Sequence, residues 1–269
     1  MEKYLIEYFK SLGINVQTST KARGHQGFYL NNRIDISKNI PKERIVPTLL
    51  HEFAHYVHSK IEPQIAKSGG NLEVIFKDNN PIIKEELVKI TNFVDKNSLC
   101  ERLYAHKKIT QEKIKYYDKL IKKDYPKFQR SKKFKEFERY IKKSNAKYLL
   151  KYDRVKIVTG LFKRQTKVYS INTIEQDFCD MPQAFANYLR LNSYRKKQTR
   201  ITNRINKCKK YYERPTELFA RLVEGLYIDE EYTRSIAPYT TEIFYKLLND
   251  GYYKELKNTL QYIETQTTF

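Results

Sequence analysis

His51, Glu52 and His55 stand in the order H-E-x-x-H, within His51-Glu52-Phe53-Ala54-His55. On an α-helix, residues four apart lie one above the other on a single face. Two imidazoles so placed can hold one Zn²⁺, and the carboxylate between them can act as general base on water at the ion. The same letters also arise by chance, so the surroundings decide. Ile45, Val46, Leu49, Leu50, Phe53, Ala54 and Val57 form an apolar stripe of helical period around the motif. A polar trio set into such a helix costs desolvation energy and needs a purpose. The chain has 5 histidines, and His51, His55 and His58 share this one helix.

A zinc site of this kind takes a third protein ligand and leaves a fourth position open. Four residues compete for the role. His58 lies on nearly the same stripe, but helix rise carries it ~4.5 Å beyond His55 along the axis. His106 is remote and sits in a polar helical stretch. Glu213 and Glu217 belong to Tyr211-Tyr212-Glu213-Arg214-Pro215-Thr216-Glu217-Leu218-Phe219-Ala220-Arg221. There Pro215 opens a helix whose core face is Leu218, Phe219, Leu222, Val223 and Leu226, with Gly225 near its end. Glu217 falls in the first turn beside that face, whereas Glu213 precedes Pro215 and falls outside. This favours Glu217. Ala220 leaves room for another helix to approach, and Arg221 and Glu224 continue the stripe and can orient the ligand.

Leu50-His51-Glu52-Phe53-Ala54-His55, followed much later by Tyr211 to Arg221, resembles the Glu-zincin metallopeptidases. It is most similar to the zincin domains of phage and mobile-element large polyvalent proteins, and more distantly to the catalytic domain of anthrax lethal factor. The resemblance covers residues 25–60 and 211–248. It implies a zincin-like fold with His51, His55 and Glu217 as zinc ligands, Glu52 as catalytic base, and a protein or peptide substrate. It also implies a tyrosine shortly before the ligand Glu that stabilises the oxyanion. Tyr211 matches that position best, with Tyr212 as the alternate. Tyr239, just before a later helix, is a further candidate.

The elements that must position these residues follow from periodicity. Residues 2–12 read as an amphipathic helix ended by Gly13, and Ile14 to Thr18 as a strand. After a loop with Gly24 and Gly27, residues 27–36 read as a hairpin turning at Asn31-Asn32. One of its strands is expected to offer a free edge to an extended peptide. The motif helix starts near Pro41 and runs to about Lys60, with Pro47 in its first turns. Pro63, Ser68, Gly69 and Gly70 mark a loop, and Leu72 to Phe76 a short strand or helix. Residues 82–123 and 128–150 have helical spacing, broken at Pro126, and 155–171, including Phe162, reads as a small hairpin. Residues 173–191 return to helix, interrupted at Met181-Pro182, and Arg195 to Lys210 reads as an exposed loop or helix end. From 227 to 263 helices recur, divided by Pro238 and Gly251. The expected fold class is α+β, mainly α: a small sheet packed on an active-site helix, with an inserted helical subdomain. The expected division is 1–61 and 181–269 as two halves of one domain, with 62–180 inserted.

A chain of 269 residues with 40% hydrophobic content can bury a core. No apolar run approaches the ~18 residues of a membrane span, and the first 12 residues lack a signal-peptide core. Cys100, Cys179 and Cys208 are widely spaced and odd in number, which argues against a disulfide framework and for a reducing, cytoplasmic setting. The net charge of +21 calls for an acidic partner, nucleic acid among them. Lysine spread among Tyr, Ile and Asn also fits a composition bias, and this reading is favoured over a nucleic-acid groove. The rival function is a nucleic-acid-associated, antirestriction-like mobile-element protein whose zincin part is auxiliary or inactive. It draws on the basic stretch 195–210 beside Tyr211 and Tyr212.

Overall fold

The computed structural model describes residues 2–19, 26–64, 69–95, 99–160, 164–179, 181 and 183–267. Gly24, Ser68, Phe162 and Pro182 lie outside the described residues. The chain is mainly helical with two small sheets. In chain order the elements are α1 (Glu2–Ser11), β1 (Asn15–Ser19), β2 (Gly27–Leu30), β3 (Arg33–Ser37), α2 (Lys42–Ile61), α3 (Leu72–Phe76) and α4 (Pro81–Val94). They continue as α5 (Leu99–Asp124), α6 (Lys132–Lys143), β4 (Arg154–Thr159), β5 (Gln165–Ser170), α7 (Ile174–Asp177) and α8 (Gln183–Tyr212). The last are α9 (Pro215–Ile228), α10 (Glu230–Ile236), α11 (Pro238–Asn249) and α12 (Lys254–Thr267).

The chain forms two compact units: residues 1–96 with 209–269, and residues 97–208. The expected cuts after 61 and 180 therefore shift. Residues 72–94 stay with the first unit because α4 packs against α9 and α11, burying Ile83, Leu87 and Ile90 in the same core as α2. At the other end α8 runs unbroken for 30 residues, so of the two expectations for Arg195 to Lys210 the loop is corrected: the stretch is the C-terminal half of the helix. Neither Gly nor Pro interrupts it, and Leu191, Ile201 and Ile205 are buried along its length.

In the first unit the sheet order is β1-β3-β2. β3 is central, parallel to β1 and antiparallel to β2. The β2–β3 turn puts Asn31 and Asn32 at φ 48° and 57°, the left-handed pair that a two-residue hairpin turn requires and asparagine tolerates. Because β3 is paired on both sides, β2 is the hairpin strand that ends the sheet. α2 packs against β2 and β3, and α9 packs against α2 and α4. Phe53 of α2 stacks on Phe9 of α1 with centroids 4.3 Å apart, while Phe219 of α9 packs among Phe76, Phe244 and Tyr253. Glu86 of α4, itself buried, accepts the Thr240 backbone N–H (2.8 Å) and hydroxyl (2.7 Å), which fixes the start of α11.

The second unit has its own core. Phe128, Phe134, Ile141, Tyr169, Phe185 and Leu189 are buried together there, beside the antiparallel β4–β5 hairpin. Cys100 and Cys208 are joined as a disulfide between α5 and α8, and Cys179 is free and exposed. Their separation of 108 residues is why spacing alone hid the pair. One cysteine pair is thus joined where the spacing argued against a disulfide framework, and the inference of a reducing setting loses that support. No helix among the described residues is long and apolar enough to cross a membrane.

Candidate metal centre

The motif lies mid-helix in α2, and eight residues in a row from Pro47 to Ala54 are buried. Pro47 is inside the helix, one turn after Glu43, so its missing N–H costs the Glu43 carbonyl its usual intrahelical partner, yet the helix runs on through the motif to Ile61. α9 begins with Pro215 at its first position and an Arg214 cap in extended conformation, which sets Glu217 in the first turn. Packing of α9 on α2 then brings the two halves together. His51 Nε2 lies 3.6 Å from Glu217 Oε2, and His55 Nε2 lies 3.7 Å from Glu217 Oε1. The two imidazoles are 5.0 Å apart at 84°. One ligand atom from each of the three residues falls within 4.8 Å of the others.

The electrostatics of this cluster come from burial opposed by close charges. Burial pushes the His51 imidazolium down, but Glu217 and Glu224 outweigh it and lift the group to about 9. Burial followed by the charge of His51 drives His55 down to about 3, so its ring is neutral. Burial raises Glu217, yet His51, His55 and the adjoining Tyr211 hydroxyl hold it down at about 2. For Glu52, burial is the largest influence, and it raises the carboxyl to about 7.

Whether a metal suits these residues can be tested on their hydrogen bonds. His51 Nδ1 is engaged by Glu224 Oε2 at 3.0 Å, which leaves Nε2 to face Glu217. Glu217 Oε2 is buried without a hydrogen-bond partner and has only the His51 ring, 3.6 Å away, to offset its charge, a place that a bound cation suits. Two imidazole nitrogens and one carboxylate oxygen are also the donor types zinc takes. On both counts the residues fit.

Glu224 is held in turn. Arg44 Nη2 donates to its Oε1 at 2.6 Å, and Arg221 Nη1 to its Oε2 at 2.9 Å. Glu224 therefore serves His51, not Glu217 as its place on the α9 stripe suggests. Arg44 is the participant that sequence reasoning missed. It lies in the first turn of α2, where no local pattern signals this role. Replacing Glu224 with Gln is expected to lower zinc affinity about 10- to 100-fold while leaving the fold intact. Competition with a chromogenic chelator measures this, and an unchanged affinity refutes the orienting role.

The remaining candidates separate cleanly. His58 is fully buried, with Nε2 3.3 Å from Glu62 Oε2, and a Cβ on Gly70 would meet its ring at 2.6 Å. It packs the end of α2 and is not in the cluster. His106 lies on α5 in the other unit, and Glu213 precedes α9. Tyr211 adjoins Glu217, and burial raises its hydroxyl well above the usual tyrosine range. Tyr212 instead adjoins Asp95 and lies under the Arg221 guanidinium, 5.7 Å away. The Tyr239 hydroxyl donates to Asp78 at 2.8 Å, which ties the start of α11 to the loop before α4.

Compared with protein-family models, curated proteins and solved structures, the chain matches none of them.

Proposed function

We propose that this chain is a zinc-dependent metallopeptidase with a zincin-like fold, hydrolysing peptide bonds in a protein or peptide substrate, and that it derives from a phage or mobile element. The observation that carries the reading is the convergence of His51, His55 and Glu217 as a donor set, with Glu52 in the same helix and Glu217 Oε2 buried without a hydrogen bond. A zinc ion held by these three residues would polarise the scissile carbonyl and make water more acidic. Glu52, next to His51 and itself buried, takes the proton from the attacking water and passes it to the leaving amine. Its raised proton affinity suits both halves of that transfer. The Tyr211 hydroxyl, beside Glu217, donates to the carbonyl oxygen as it becomes an oxyanion. An extended substrate pairs along the open side of β2. Gly27 at the start of β2 is kept small by the site: a Cβ there would stand 2.8 Å from Thr48 Cγ2 and 3.1 Å from Glu52 Oε1.

The test is a peptide-library digest with the intact chain, before and after chelation. Cleavage should vanish on chelation and return with added zinc. A purified protein that takes up no zinc and cleaves nothing would defeat the proposal.

A further inference from the structure

The charge of the chain is confined to one unit. Residues 97–208 carry 30 Lys and Arg against 10 Asp and Glu, a net +20, while the rest carries 22 against 21, a net +1. A composition bias acting on the whole chain would raise both alike. α8 is the extreme case, since no Asp or Glu occurs from Gln183 to Tyr212. Within this unit a groove of about 480 Å³ is lined by Arg102 and His106 of α5 and by Lys197, Arg200 and Arg204 of α8, with Leu103 and Ile201 among its lining. Lys197, Arg200 and Arg204 recur three and four residues apart and so share one helix face. Among the described residues Arg102, Lys197, Arg200 and Arg204 form no ion pair. Asp153 is the single acidic lining residue, and its carboxylate accepts a hydrogen bond from Ser193. Lys196, next on α8, is held below the usual lysine range by burial and then by Lys151 and Arg200, which shows how crowded the cations are.

We propose that residues 97–208 form a nucleic-acid-binding module, and that the groove between α5 and α8 seats the phosphate backbone. Three guanidinium groups offer the forked donors that phosphate oxygens accept. Tyr116, Tyr140 and Tyr152 expose 55%, 56% and 54% of their surface on the same unit, giving faces on which bases can stack. A bilayer is a poorer partner. The most amphipathic basic helix, α6, has Phe134 and Ile141 of its apolar face already buried in the core, so they are not available for insertion. The inference does not depend on the metal centre.

Fluorescence anisotropy of the intact chain with labelled single-stranded and duplex DNA of about 20 nucleotides, over about 50 to 200 mM salt, tests it. Binding should weaken steeply with salt, and the two forms of DNA distinguish stacking from duplex docking. The double substitution Arg200→Glu with Arg204→Glu should weaken binding at least about tenfold and reduce the log–log salt slope by about 1.5. Lys142→Glu with Lys143→Glu on α6 removes the same charge outside the groove and should cost less than about threefold. The neutral pair Lys197→Gln with Arg204→Gln repeats the test should charge reversal unfold the unit, as judged by circular dichroism. Equal losses from the groove and α6 variants, no binding to either DNA at low salt, or equally tight binding to phosphatidylserine vesicles would each overturn the proposal.

Discussion

Glu52→Gln should keep its zinc and lose between about 10²- and 10⁴-fold in kcat/KM, the range over which a positioned general base contributes. Gln has nearly the shape of Glu, and at 5% exposure the site leaves little room for a side chain of another size. What Gln cannot do is accept the proton from water. The ligands His51, His55 and Glu217 are untouched, so elemental analysis should still find about one zinc per chain. Steady-state cleavage of a library-derived peptide, paired with that analysis, separates the outcomes. Cleavage within about threefold of the parent would remove Glu52 from the chemistry. Loss of both metal and cleavage would show that Glu52 supports the fold instead.

Glu217→Gln is the second large effect, and it falls on metal before it falls on rate. Glu217 is 5% exposed, and burial alone would favour its neutral acid. Instead His51, His55 and Tyr211 hold the carboxyl down at about 2, so the site is built around an anion. An amide supplies no charge to a dication and leaves two imidazoles to hold it alone. Zinc content is expected to drop from about one per chain to below about a tenth, with cleavage lost in proportion. Full zinc occupancy in this variant would exclude Glu217 as a ligand and reopen the choice of third partner. Comparison with Glu224→Gln is informative, since that change should weaken zinc binding without abolishing it.

The sequence alone determines what local physics controls. A spacing of four within an apolar stripe sets His51 and His55 on one face of α2. Asn31-Asn32 between alternating residues makes the β2–β3 hairpin, and Pro215 as the first helical residue puts Glu217 in the opening turn of α9. Each of these depends on residues within a turn or two of one another. Packing decides the rest. Only the docking of α9 on α2 brings Glu217 to the two histidines, some 160 residues away in the chain. Packing also gives Glu224 to His51 rather than to Glu217, adds Arg44 from the start of α2, and joins Cys100 to Cys208. It sets the unit boundary near residue 96, behind which nearly all the excess charge turns out to lie. The opening His51-Glu52-Phe53-Ala54-His55 could announce a metal site because helix periodicity is local. The third ligand and its supports come from which apolar faces meet, a property of the whole core that no single stretch encodes.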